Sequence, residues 1–222
     1  VKIAEVAMWI MDHQMNLEVG LEFGLYYCRL PLTQSAKITH GNALQLDWED
    51  TVPKEELDYI IGNPPFIGHQ WRSKEQQEDM NLIWKGEAKR LDYVSAWFYK
   101  SANFIQNSKA IVGYVATNSI CQGEQAPVLW RKMFDDFGVT INFAHRTFQW
   151  SNEARGKAAV HVVIVGFGLI NSKKKRLYHY DTVKSQPTIE KVTNINCFLT
   201  SGKQIYISSR RRTSINGYAS MN

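Results

Sequence analysis

Leu57-Asp58-Tyr59-Ile60-Ile61-Gly62-Asn63-Pro64-Pro65-Phe66-Ile67-Gly68 is the stretch on which the reading of this 222-residue chain turns. Tyr59 to Ile61 has the apolar, β-favouring composition of a short buried strand. It runs into an abrupt turn carrying an asparagine, two prolines and an aromatic. Each proline fixes φ near −65° and removes a backbone N–H while keeping its carbonyl. The first also pushes Asn63 out of the helical region. The expected result is a rigid corner presenting two acceptors, the Asn63 side-chain oxygen and the Pro64 carbonyl, with Phe66 beside them. In an open α/β sheet such a corner stands at the carboxyl end of a strand, where ligands bind.

That corner suits a planar exocyclic amine such as N6 of adenine, whose lone pair is delocalised into the ring. Two acceptors taking both N–H bonds favour the pyramidal amine of the transition state over the flat ground state. Phe66 is placed to stack on the base of an enzyme that draws its target out of a duplex. With proline near ~5% of residues, an Asp/Asn/Ser-Pro-Pro-aromatic tetrapeptide arises by chance in a chain this long in about one case in a hundred. The alternative, a merely stiff turn, is correspondingly disfavoured.

Asn63-Pro64-Pro65-Phe66 resembles the catalytic motif of amino-methylating DNA methyltransferases, in the variant typical of N6-adenine enzymes. His40-Gly41-Asn42-Ala43-Leu44, Thr117-Asn118-Ser119-Ile120-Cys121-Gln122-Gly123-Glu124-Gln125 and Phe143-Ala144-His145-Arg146-Thr147-Phe148-Gln149-Trp150 resemble the methyltransferase region of MmeI-like restriction-modification proteins. The resemblance covers residues 1 to about 207. It implies an α/β, Rossmann-like, class I S-adenosylmethionine-dependent methyltransferase sheet acting on double-stranded DNA. It implies that Asn63 to Phe66 are catalytic, and that Asn42, Ala43, Leu44 and Asn63 contact the cofactor. Where Asn42 stands an acidic side chain is common; asparagine can both accept from and donate to an adenine edge. The start of a helix from Leu91 is expected against the cofactor's adenine. An aromatic from a polar loop, His145 to Gly156, is expected to stack on the extruded base opposite Phe66; Phe148 is the first choice and Trp150 the reserve.

The same resemblance implies a sheet truncated at the N-terminus. The glycine-rich cofactor loop and the carboxylate for the ribose hydroxyls are absent, so the first two strands are expected before residue 1. The 222 residues alone are therefore expected to bind S-adenosylmethionine weakly or not at all. Residues 1–170 read as a partial catalytic domain and 171–222 as a connector toward a missing target-recognition domain. Missing parts of the same protein at both ends are thus expected partners.

Elsewhere the pattern is plainer. Ile3, Val6, Ala7, Ile10, Met11 and Met15 recur at helical spacing, giving a helix over residues 2–15, with residues 16–37 irregular. Ile38-Thr39-His40 reads as a short strand before the Gly41 turn. Ser73-x-x-Gln76 has the form of a capping box. Leu91 to Gln106 and Val128 to Phe137 read as helices; Ala110–Ala116, Val139–Ala144 and Ala159–Phe167 as strands, the last two an antiparallel pair. Lys173-Lys174-Lys175-Arg176 and Arg210-Arg211-Arg212 read as solvated charge, with phosphate contact the sharper alternative.

A net charge of +5 and a pI near 9.0 are compatible with a polyanionic partner. Cys28, Cys121 and Cys197 are far apart and odd in number, which supports neither a disulfide framework nor a zinc site and fits reduced thiols in the cytoplasm. The longest apolar run, Ala158 to Ile170, is too short to span a bilayer. Three other readings are open: the same corner acting on an RNA guanine amine or a protein glutamine amide; a metal-dependent nuclease, from Glu87-Ala88-Lys89; and a catalytically inactive DNA-docking fragment.

Overall fold

The computed structural model describes residues 1–24, 36–87, 90–150, 160–182 and 185–206, without the side chains of Trp150 and Val160. The chain divides into two units, Val1–Glu56 and Leu57–Asn222.

In the first unit a 22-residue helix, α1 (Lys2–Phe23), ends at Gly24, whose left-handed φ of 66° closes it. The helix passes through Asn16 and Gly20, so the expectation of irregular chain from residue 16 is corrected: the stop signal is Gly24 alone. None of the α1 residues is buried, and Ile3 and Leu21 are 88% and 87% exposed. Ile38 to His40 forms no regular structure, contrary to the expected strand. Turns hold the chain from Gly41 to Trp48. Gln45 and Leu46 donate their N–H groups to Asn42 O at 2.9 and 3.0 Å, and Trp48 Nε1 donates to Ala43 O at 2.8 Å.

The second unit is built on a six-stranded mixed sheet of order β1-β2-β4-β3-β5-β6. The strands are β1 (Tyr59–Gly62), β2 (Ile111–Thr117), β3 (Thr140–Trp150), β4 (Val160–Gly168), β5 (Lys175–His179) and β6 (Thr188–Val192). β1 runs parallel to β2, and β3 parallel to β5; the other neighbours are antiparallel. The β3–β4 pair is as expected from the sequence, but β5 and β6 carry the sheet beyond it.

β1 departs from expectation. It lies at the edge of the described sheet, with Tyr59 67% and Ile61 82% exposed. Its composition is that of a buried strand, yet among the described residues only β2 pairs with it.

α3 (Ser95–Phe104) and α4 (Gln125–Arg131) pack on one face of the sheet through Phe98 and Trp130 against Phe167, and α2 (Lys74–Trp84) packs on α3 through Trp84 against Tyr99. Ser73 does form the capping box: Gln76 N–H donates to Ser73 Oγ at 3.3 Å and Ser73 N–H to Gln76 Oε1 at 2.9 Å. In the core Phe98 stacks on Phe167 at 5.5 Å and meets Tyr114 and Trp130 edge-on. Burying each such ring contributes roughly 1.5–3 kcal/mol. Their polar ends are satisfied: Trp130 Nε1 donates to Ile120 O at 2.9 Å, and Ser101 Oγ lies 2.6 Å from the Tyr114 hydroxyl. Burial pushes that phenol up to about 12. On the other face, Gly113 and Gly166 pair across β2 and β4, and the Phe143 ring lies over them. A Cβ on Gly166 would sit 1.9 Å from Phe143 Cε1.

Lys175 corrects the reading of its charge run. It is 1% exposed, because the alternation of β5 turns it inward. Its ammonium donates to Ile141 O at 2.8 Å and to Thr140 Oγ1, and burial lowers its pKa. The Arg210–Arg212 run lies outside the described residues, as do Cys28, Ala88 and Lys89.

Candidate active site

β1 stops where proline forbids it to continue. Gly62 pairs with Tyr114, and a Cβ there would meet that ring at 3.1 Å, so glycine lets β2 approach the strand end closely. The chain then leaves the sheet through residues 63–68 with no regular structure. Pro64 is buried and anchors the turn, Asn63 and Pro65 are exposed, and Phe66 is half-buried. No described residue hydrogen-bonds the Asn63 carboxamide. The corner faces outward at the carboxyl end of a parallel strand.

A buried carboxylate holds the segment behind it. Asp92 Oδ1 accepts the His69 N–H at 3.1 Å and Oδ2 accepts the Ser119 hydroxyl at 2.5 Å. Ser119 Oγ is also 2.7 Å from Thr117 Oγ1 at the end of β2. The Asp92 N–H donates to Gln125 Oε1 at 2.9 Å, and the Tyr93 N–H to Ile67 O at 2.9 Å. Asp92, 8% exposed, thus ties the turn after Phe66 to the ends of β2 and α4. α3 starts at Ser95 rather than at the expected Leu91; the Ser95, Ala96 and Trp97 N–H groups bond three residues back, to Asp92, Tyr93 and Val94 O, so the chain before it is a tighter turn. The Asp92 carboxylate raises the Arg72 pKa, against a larger lowering by burial. Tyr93 donates its hydroxyl to Asp79 at 2.5 Å, and burial with that bond raises its pKa. Sequence reasoning passed over Asp92; the available signal was a lone acid inside the apolar Leu91–Val94 run.

A cavity of about 980 Å³ opens beyond the carboxyl ends of β1 and β2, lined by His69, Gln70, Arg90, Ser119, Gln122 and Gln125 among others. Asn63 and Phe66 are not among its lining residues, so it lies beside the corner rather than upon it. Arg90 pairs with Glu124 at 3.3 Å, and Glu87 with Lys132 at 3.3 Å. Among the described residues no group of three or more His, Cys, Asp or Glu side chains is arranged to hold a metal.

Phe148 is on a strand, not on the expected loop. β3 runs on to Trp150, with Phe148 opposite Val162 beyond an irregularity in register after His145. The polarity of His145–Trp150 suggested a loop, and the shifted register conceals the period of two. Residues 151–156 of that loop lie outside the described residues. β3 ends at the same edge of the sheet as β1 and β2, since β4 is antiparallel to both β2 and β3. The Phe148 ring stacks on Tyr180 with centroids 4.9 Å apart. Tyr180 OH is 2.6 Å from His145 Nδ1, and His145 lies flat against Tyr178 at 4.1 Å and 3°.

In the first unit, the Asn42 side-chain oxygen accepts the Leu44 N–H at 3.0 Å. Asn42 is exposed, Ala43 half-buried and Leu44 buried. A Cβ on Gly41 would meet Leu46 Cδ1 at 2.9 Å, so a larger residue there would make that side chain shift.

A sequence model of the MmeI DNA-methyltransferase domain matches residues 1–179. The chain is 40% identical over 215 residues to DNA methyltransferase A of Bacillus subtilis (strain 168), a match spanning 95% of this chain and 24% of that protein. Among solved structures it is similar to the Type IIL restriction-modification enzyme MmeI in complex with DNA, with a TM-score of 0.84 and 43% identity over 95% of this chain and 28% of that one. It therefore spans about a quarter of the length of these relatives. With most of its residues inside the domain match, and an Asn-Pro-Pro-Phe corner at the end of a parallel strand, the chain belongs to the MmeI DNA-methyltransferase family.

Proposed function

We propose that the protein of which this chain is part transfers a methyl group from S-adenosylmethionine to the N6 amine of an adenine extruded from double-stranded DNA. Asn63 Oδ1 and the Pro64 carbonyl accept the two N–H bonds of that amine. Their acceptance tightens as the nitrogen pyramidalises, so it favours the transition state over the ground state. Pro65 keeps the corner stiff, Phe66 covers one face of the base and Phe148 the other. The observation that carries this reading is the exposed Asn63 side chain, without a partner among the described residues, beside the buried Pro64.

S-adenosylmethionine, when bound, supplies the electrophilic methyl group. The residues present fit part of it. Asn42 offers an exposed carboxamide, which can both accept from and donate to an adenine edge. Ala43 and Leu44 fix that turn through their backbone, and Asn63 is proposed as a further cofactor contact. The Rossmann-like class I assignment, with two further strands supplied from outside these residues, belongs to the same proposal. So do residues 171–222 as a connector toward a target-recognition domain, and a cytoplasmic location; among the described residues no helix is long and apolar enough to cross a membrane.

The test is tritium transfer from labelled S-adenosylmethionine by the intact protein, with duplex DNA, RNA and release-factor protein offered side by side. Label is expected in N6-methyladenine of DNA alone. Asn63→Ala is expected to lower the rate a hundredfold or more, the usual cost of losing one preorganised transition-state contact. Full activity in that variant would remove the mechanism.

A further inference from the structure

Trp71 stands apart from the buried tryptophans of the second unit. Trp84 and Trp130 are 2% and 0% exposed, whereas Trp71 is 82% exposed. It is not on a loose tip. It closes the single turn His69–Trp71, in which the Trp71 N–H donates to Gly68 O at 2.9 Å and Arg72 Nε donates to His69 O at 3.1 Å. That turn is fastened to the buried Asp92 through the His69 N–H, and the capped start of α2 follows it directly. Gly68 lies against the edge of the indole: a Cβ there would be 3.4 Å from Trp71 Cδ1. The fold thus holds a large apolar ring out in solvent on a rigid support, a few residues after the Asn-Pro-Pro-Phe corner.

Leaving an indole in water forfeits the stabilisation its burial would bring. A rigid display suits binding, because little freedom remains to be lost when a partner arrives. The surroundings indicate which partner. In sequence Trp71 is flanked by Gln70, Arg72 and Lys74, not by apolar residues, and His69 and Gln70 line the cavity next to it. A protein-binding core would be apolar. A lone aromatic among donors and cations is the pattern that stacks on bases while its neighbours meet the backbone.

We propose that Trp71 stacks on a nucleobase adjacent to the extruded adenine, filling the place in the base stack that extrusion leaves. The inference rests on the reading of duplex DNA as substrate. Extrusion exposes the face of a neighbouring base, and an apolar side chain pressed against it stabilises the open duplex.

The experiment uses the intact protein and a duplex whose target, read by sequencing genomic DNA that the protein has methylated, carries 2-aminopurine. Trp71→Ala is expected to weaken duplex binding about five- to hundredfold and to lower the 2-aminopurine fluorescence of the saturated complex. Trp71→Phe keeps a ring and is expected to stay within a few-fold of the parent in both. Asn63→Ala is expected to lose tritium transfer, which reads the corner separately from Trp71. Parent-like affinity and fluorescence in Trp71→Ala overturn the proposal. So does acrylamide quenching, compared between the parent and Trp71→Phe, that finds the indole shielded before DNA is added, since another protein surface would then cover it. Methyl transfer surviving in Asn63→Ala would defeat the reading of the corner instead, and leaves the Trp71 affinity measurement intact.

Discussion

Tyr178 against one face of His145 and the Tyr180 hydroxyl at its Nδ1 make a half-buried place in which a charged imidazole is poorly solvated. Burial accordingly lowers the His145 pKa. The sign follows from proton counting. The folded state disfavours the imidazolium, so it binds fewer protons than the unfolded chain. Stability is then full above the ordinary imidazole pKa of about 6.5 and is lost as pH falls through the lowered value. Thermal melts between pH 7.5 and 5.5 are expected to show a falling midpoint, with a shallower fall in His145→Phe; equal slopes would remove His145 as the cause. Asn63 and its prolines were legible because their order is rare and each acts through its own covalent geometry. Asp92, Tyr180 and Lys175 were not. Asp92 gains its role from Ser119, and Tyr180 from His145, residues that only the fold brings near. A lysine in a lysine run carries no mark of the Thr140 and Ile141 acceptors awaiting it.

Elements declared themselves where a local signal was complete. The reciprocal Ser73–Gln76 bonds start α2 as the sequence indicated, and Ser73→Ala is expected to cost about 1 kcal/mol, measurable as a lower urea midpoint at unchanged slope. An unchanged midpoint would mean that packing alone fixes that helix start. α1 outran its expected end because Gly20 read as punctuation, although a single glycine inside a helix costs only about 1 kcal/mol. β3 outran its expected end for another reason. Its register shifts after Ile141 and again after His145, so no strict alternation survives in the sequence, and only pairing with β4 keeps the strand going. α4 runs on into a wider π turn, Lys132–Asp136, which periodicity at 3.6 does not distinguish from ordinary helix.

At the scale of the molecule, the sheet was legible in its parallel start and its β3–β4 pair, but not in β5, whose Lys175 and Arg176 read as solvated charge. The exposed apolar surface of each unit is the larger consequence. β1 presents Tyr59 and Ile61, and α1 presents Ile3, Met11, Met15, Leu21 and Phe23, all at least half exposed. Unpaired strand edges and broad apolar surface promote association. The 222 residues produced alone are expected to bind a hydrophobic dye and to scatter light as oligomers, and calorimetry is expected to find no micromolar affinity for S-adenosylmethionine. A monodisperse, dye-silent monomer would contradict this.

The Phe143 ring laid over Gly166, with Gly113 alongside, acts as a keel in a slot. Sliding β4 by one residue would bring the Val165 or the Phe167 side chain where that slot must be empty, which disfavours mispaired alignments of the central strands. The spacing between the Asn63 end of the sheet and the Phe148 end is therefore set by the fold itself.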